Sequence, residues 1–369
     1  MNIKLRILLP VILLAVWMNV AIVSAQTIQA TSALDPLNAL PTSDVVAFAD
    51  THRIMTEIVP RLLAKDPATL LKLMNTVNEL NTKTGINILS IDRIAVGVQF
   101  LGKTTHNLKK DDVGVAIIVH GDFDADKFFA FMKSETKGKA RQETYGGIVI
   151  HIEPPPTAPQ KKSERETGAL ALLDAHTIVV GDLPQVRATI DAASGKGRVD
   201  SALVGLATHD ANTLIGMAGN VPPSLTEDIS KSNTQGDETE QAIGKIVANI
   251  KQVFSSITTT PTAFDVTLGA RLVTAEQAQS LNDLLLGIRQ QTAPYVQDKT
   301  TREMFDSLKI TAQDNEVRVS ADIPNGVAQD FVASMAKDNQ SKVVPVTKPA
   351  ATKRTTTTKR RRTRRRTTH

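Results

Sequence analysis

Short apolar runs alternate along this chain with longer stretches of helical periodicity, and three of the junctions between them look alike. Val119-His-Gly-Asp-Phe-Asp124, Arg271-Leu-Val-Thr274 and Ala321-Asp-Ile-Pro-Asn325 each end an apolar run on a residue able to cap the helix that follows. Thr274 with Gln277 makes a capping box. A chain punctuated this way predicts an α+β fold of mainly antiparallel sheet with helices packed on one face, of which the ferredoxin-like unit is one form.

The periodicity places the elements. Asp44 to Asp50 has the apolar run of a buried strand, and Ile54 to Asn81 carries Ile58, Leu62, Leu70, Leu73, Met74, Val77 and Leu80 at helical spacing. Pro67 after Asp66 starts the second of two helices there, and Gly85 stops it. Strands are predicted over Ile91 to Leu101, Val113 to Gly121, Tyr145 to Glu153, Ala169 to Asp174 and Thr177 to Asp182, with helices over Asp124 to Ser134 and Pro184 to Ala193. The Pro-rich polar stretch Pro154 to Gly168 reads as a mobile surface loop.

From Leu206 the pattern restarts. Leu206-Ala-Thr-His-Asp210 before the strand Thr213 to Ala218 echoes Leu40-Pro-Thr-Ser-Asp44 before Val45 to Ala49. The remainder predicts a helix over Glu240 to Ile257, a strand over Ala263 to Val273, a helix over Ala275 to Tyr295, a hairpin from Leu308 to Ile323 turning at Asp314-Asn315, and a helix over Val327 to Lys337. The expected organisation is therefore a signal peptide over 1–25, a leader over 26–44, related α+β domains over 45–200 and 201–340, and a disordered Arg/Thr-rich tail over 341–369.

The first 25 residues have a basic start at Lys4 and Arg6, an apolar stretch from Ile7 to Val23 and a cleavage site at Val23-Ser-Ala25. They predict secretion or export to a periplasm with cleavage after Ala25, the alternative being a retained anchor. The chain has no cysteine, which excludes thiol nucleophiles, disulfides, Cys-ligated zinc and a lipid-modified amino-terminal Cys. Aromatic residues make up 4% of it, too few for the stacking platforms of glycan clefts or single-strand nucleic-acid grooves.

The signal-like start, the Leu40-Pro41 motif ahead of Val45 to Ala49, and Val179-Val-Gly-Asp182 before Val186 together resemble a group of exported bacterial proteins built from duplicated α+β units. The resemblance runs over roughly residues 38 to 340 and implies architecture and export. It lends no chemistry.

Several patterns touch on catalysis without meeting its geometry. Gly97-Val-Gln-Phe-Leu-Gly-Lys103-Thr104 matches the phosphate-binding loop letter for letter, yet Val98 to Leu101 continue a strand and no helix opens at Lys103. Lys83-Thr84-Gly85 with Ser134-Glu-Thr-Lys137 or Ser334-Met-Ala-Lys337 has the residues of the penicillin-binding motifs in the wrong order. Asp122, Asp124 and Asp126 have the spacing that opens a calcium loop, but Lys127 and Lys133 occupy its glycine and glutamate positions. His120 and His151 fall on strands opposite apolar sets, so neighbouring strands would bring them together with Asp122 or Glu153 into a metal or proton-transfer site. The sequence predicts no catalytic residue, no cofactor and no metal ligand, and an enzyme site assembled from distant residues is the alternative.

Charge supplies the remaining signal. From Ser341 onward there are 11 Lys or Arg and no acid, whereas residues 26–340 hold 30 basic against 38 acidic side chains, a net of −8. Lys353, Arg354, Lys359, Arg360, Arg361, Arg362, Arg364, Arg365 and Arg366 are separated by threonines with no apolar anchor. Guanidinium groups chelate phosphate and carboxylate, so these nine are the candidate polyanion-binding residues, for an anionic polymer, lipid headgroup or nucleic acid held by charge. The expected function is a non-catalytic exported binding or scaffold protein with a basic tail, the further alternative being an envelope assembly component that takes a protein partner.

Overall fold

The computed structural model describes residues 35–101, 112–154, 167–210, 212–222, 224, 244–297 and 299–341. Its chain is α+β. Among the described residues twelve strands, all paired antiparallel, form one sheet in the order β11-β12-β10-β9-β8-β1-β2-β3-β7-β6-β5-β4. The first half of the chain supplies β1 (Val45–Asp50), β2 (Ile86–Phe100), β3 (Val113–Phe123), β4 (Arg141–Tyr145), β5 (Ile148–Ile152), β6 (Gly168–Asp174) and β7 (Thr177–Asp182). The second half supplies β8 (Ile215–Asn220), β9 (Ile250–Thr259), β10 (Ala263–Leu272), β11 (Lys309–Gln313) and β12 (Glu316–Pro324). The halves meet where β1 pairs with β8, Ala47 lying opposite Met217.

Between β1 and β2 run α1 (Thr51–Arg53), a π-helical turn (Ile54–Ile58), α2 (Val59–Leu62) and α3 (Pro67–Thr84). The later helices are α4 (Ala125–Glu135), α5 (Leu183–Ala193), α6 (Ser201–Ala207), α7 (Ala275–Thr292), α8 (Lys299–Ser307) and α9 (Asn325–Ser341). No described helix is long and apolar enough to cross a membrane.

Two features of the predicted architecture change. β1, β2 and β3 follow one another across the sheet, a meander where a ferredoxin-like unit would interleave its strands. The helices also pack on both faces. Ile118 and Val179 face α5 and α6 in a core with Val186, Ile190, Leu203 and Leu206, whereas Val119 and Ile178, one residue along, face Phe128 and Met132 of α4. Strands buried on both faces lose the apolar/polar alternation that would mark a one-sided sheet, as β3 with Ala116, Ile117, Ile118 and Val119 illustrates.

Local chemistry explains where the elements begin and end. Asp66 caps α3 by accepting from the Thr69 amide, with Pro67 at the first helical position. Gly85 closes α3 at φ 76°, and a Cβ there would come within 2.9 Å of the Asp124 carbonyl. Asp124 in turn caps α4 by accepting from Lys127 N, so one corner ends one helix and starts another. The capping box at Thr274 and Gln277 is formed.

The leader is less polar in its role than its composition predicts. Leu37 and Leu40 are wholly buried in the core beneath α5 and α6, and Pro41 bridges to Arg198. The helix predicted over Glu240 to Ile257 is corrected: helix covers only 244–247 of the described residues, and Ile250–Thr259 is β9. Ile246, Ile250, Val253 and Ile257 fit a helical repeat, but Val253, Ile257, Thr258 and Thr259 are β-branched, and Val253 and Ile257 pair with both β8 and β10 while Thr258 and Thr259 pair with β10. The strand predicted over Tyr145 to Glu153 is β5 at Ile148–Ile152, and its start differs: Gly146 and Gly147 at φ 56° and 82° turn the chain from β4, which ends at Tyr145. The expected loop at Pro154 to Gly168 lies largely outside the described residues.

Candidate functional site

The structure disperses most residues that the sequence singles out. Gly97 to Phe100 continue β2, as expected, and Lys103 and Thr104 lie outside the described residues. Asp122 accepts from His176 Nδ1 at 2.9 Å, and Asp124 is the α4 cap. His120 and His151 do not meet. Strands β7 and β6 stand between theirs, and the rings lie on opposite faces. His120 Nδ1 is 3.0 Å from Thr177 Oγ1, on the side of Ile118 and Val179. His151 is 5% exposed and stacks 4.8 Å from the Phe129 ring beside α4, where burial lowers its pKa to about 4. Among the described residues no group of three His, Asp or Glu could hold a metal. The nine basic tail residues, Lys353 to Arg366, lie outside the described residues.

The structure instead gathers two surfaces. The first is an apolar strip on the central strands. Register places Ile215, Ile257 and Val266 in one row across β8, β9 and β10, Met217, Ser255 and Leu268 in the next, and Gly219, Val253 and Ala270 in a third. All nine share the face that carries α4 and α7. Ile215 and Met217 are each 42% exposed, Val253 38% and Leu268 57%. With strands about 4.8 Å apart and same-face residues about 6.8 Å apart, the strip measures on the order of 300 Å². Helix α4 packs over β3, β7 and β6 on one side of it, and α7 over β10, β12 and β11 on the other.

The second surface is a cavity of about 300 Å³ against α5, lined by Pro41, Thr42, Gln99, Gln185, Asp191 and Lys196 among others. Gln185, 6% exposed, reaches from α5 onto Gly114 of β3, where any Cβ would strike its amide at 2.4 Å. Its Nε2 donates to Gln99 Oε1 at 3.0 Å. The far wall is pinned to the leader: Thr42 N donates to the Gly197 carbonyl at 2.8 Å, and Arg198 Nε to the Ala192 carbonyl at 2.8 Å. Asp191 accepts from the Tyr145 hydroxyl at 2.8 Å, which raises the Tyr145 pKa.

Across β10 and β12 the opposite face is polar. Glu316 accepts from Arg271 Nε at 2.8 Å and also pairs with Arg318, whose guanidinium lies 5.7 Å from the Phe254 ring centroid. Burial pushes the Glu316 pKa up, and the hydrogen bonds from Arg271 and Arg318 more than offset it, leaving it lowered. Lys309 donates to Asp322 at 2.8 Å, and that bond lowers the Asp322 pKa. These are closed ion pairs.

Neither surface follows from a local sequence signal. Leu268 and Met217 sit in strand patterns that predict burial, and nothing local marks them as uncovered. Gln185 and Gln99 lie far apart in the chain, and Gln99 falls at an unspecified position of the phosphate-loop pattern, so no local signal joins them.

No protein family matches the chain, and no curated protein matches it. Among solved structures it is similar to crystal form I of TP0453 at 10% identity and a TM-score of 0.42, covering 82% of this chain and 98% of that one. Crystal form III of TP0453 gives 8% identity and a TM-score of 0.41, with 82% of this chain and 100% of that one covered.

Proposed function

We propose that this is an exported, non-catalytic binding protein that holds an amphipathic helix of a partner on the strip over β8, β9 and β10, while its basic tail contacts a polyanion. The observation that carries this reading is the row of uncovered aliphatic side chains at Ile215, Met217, Val253 and Leu268 on strands from the middle of the sheet. Size selects the occupant. A standard protein interface covers about 800 Å² on each partner, well above this strip, whereas a helix about 10 to 12 Å across fits between α4 and α7. Helix-in-groove recognition uses apolar anchors of this kind.

The test is anisotropy of a dye-labelled Leu/Lys amphipathic peptide, in salt high enough to screen the acidic body. The Met217→Asp/Leu268→Asp double variant is expected to weaken binding at least about tenfold, since charges would replace apolar contacts at the centre of the strip. Equal binding by the double variant rejects the strip as the site.

The tail is read from charge alone: clustered Arg and Lys beside an acidic body suit an anionic polymer or headgroup. Deleting 347–369 should abolish retention on heparin, and retention of the full chain should fall steeply with salt. We also read the chain as two related units. Supporting this, β1-β2-β3-β7-β6 and β8-β9-β10-β12-β11 run outward from the central pair in matching chain order, with α4 and α7 after the third strand of each. The hairpin β4–β5 belongs to the first unit alone.

A further inference from the structure

The cavity beside α5 is a separate feature from the apolar strip, on the other face of the sheet and within the first half. Its floor is an amide pair, and a single hydrogen bond between two amides leaves one carbonyl oxygen and one NH2 group over, whichever way each amide is turned. Here the bond runs from Gln185 Nε2 to Gln99 Oε1, which leaves Gln185 Oε1 and Gln99 Nε2. Among the described residues neither of these atoms has a hydrogen-bond partner. Gln185 lines the cavity with most of its side chain buried, and its carbonyl oxygen, without a protein partner and not among the buried unsatisfied atoms, is open to a donor there.

The walls add charge of both signs. Asp191, held in place by the Tyr145 hydroxyl, contributes a carboxylate, and Lys196, five residues on, contributes an ammonium. Gly114 is the enabling residue below. A side chain on it would drive into Gln185, so the buried amide and the absent Cβ depend on each other. The bonds that tie Thr42 to Gly197 and Arg198 to Ala192 hold the rim without any ligand.

We propose that this cavity binds a small zwitterion containing an amide, the size of a dipeptide. The ligand's amide would donate to Gln185 and accept from Gln99, its ammonium would meet Asp191 and its carboxylate Lys196. The volume is at the small end of ligand pockets, which limits the occupant to this size class.

The experiment is isothermal titration calorimetry of the full chain with glycylglycine, and with N-acetylglycinamide as the uncharged amide. Glycylglycine is expected to give saturable binding at millimolar concentration, and N-acetylglycinamide to bind at least about fivefold more weakly. Lys196→Met should weaken glycylglycine by a similar factor, as should Asp191→Asn, which keeps an acceptor for Tyr145. Gln185→Met, of similar length without the amide, should abolish binding of both compounds. Lys196 is exposed, so that variant folds as the parent does and keeps the test valid if Gln185→Met melts early. Absence of saturable heat with glycylglycine overturns the proposal. So does a Lys196→Met protein that binds glycylglycine as the parent does.

Discussion

The two halves of the sheet solve the same problem differently. In the first, α5 buries β3, β7 and β6 from above and α4 buries them from below, while α6 lies over β1, β8 and β9 where the halves join, and Ile118, Val179, Leu203 and Met132 are fully enclosed. In the second, α7 and α9 both pack on one face, and beyond β8 and β9, which α6 covers, the other face on β10, β12 and β11 is closed by ion pairs around Glu316 and Asp322. The helix after β7, α5, covers the face that is polar on β10 and β12 and there buries Ile118 and Val179. The helix after β12 packs instead on the other face, Ala328 joining a cluster with Leu62 of α2, Ile58 of the π-helical turn and Phe264 of β10. A half with a helix on each face can be held by dispersion and burial, whereas a half with one covered face must solvate the other, and β10 and β12 do so with alternating Asp, Thr, Arg and Ser. Stability therefore concentrates in the first half, and adaptable surface in the second.

The largest expected effect tests that division. Phe128, 1% exposed, fills the space between α4 and β3, and Phe128→Ala should cost about 3 to 5 kcal/mol through lost burial and the cavity left behind. Chemical denaturation measures it. A loss below about 1 kcal/mol would mean the first half is no better packed than the second, and the contrast would fail.

Acid should separate the halves next. His151 has a folded-state pKa of about 4 because burial disfavours the imidazolium, against an ordinary value near 6.5. The unfolded chain then takes up the proton first as pH falls. The associated stability is complete above pH 6.5 and is lost progressively down to about pH 4, by roughly 3 kcal/mol in all. The Glu316 carboxylate in the second half has the opposite relation: its folded pKa is depressed, so its contribution is intact above the ordinary value of 4.5 and is lost only below it. Denaturation at stepped pH should thus show loss beginning in the His151 window, and His151→Phe should flatten it there. A variant that keeps the full slope between pH 6.5 and 4 would place the acid sensitivity elsewhere.

Local chemistry made much of this fold readable. Asp124, Thr274, Pro67 and Gly85 act through neighbours one to four residues away, so their roles as caps and stops follow from spacing. β9 reads as a helix in sequence because Ile246, Ile250, Val253 and Ile257 satisfy a helical period, and only pairing with β8 and β10, which sequence does not display, decides for a strand. The strip and the cavity failed to announce themselves for a related reason. Leu268 and Phe264 belong to one alternating set on one face, yet Phe264 is covered by α2 and α9 while Leu268 is not. Whether a helix arrives overhead is a property of the whole fold, and so is the meeting of Gln99 with Gln185.

The smallest expected effect is the sharpest statement about the second half. Leu268 is 57% exposed at the middle of the strip, so little of its surface leaves water when the chain folds. Leu268→Thr keeps a residue suited to a strand and removes aliphatic surface that already faces solvent, so its cost should stay within about 0.5 kcal/mol. Leu281, which α7 buries on the same face, gives the reference: Leu281→Ala should cost about 2 to 5 kcal/mol. If Leu268→Thr instead costs more than about 1 kcal/mol and the melting temperature depends on protein concentration, the strip is covered by a second copy in solution. A partner helix would then have to displace that copy, and the division into a packed half and an open half would hold for the monomer alone.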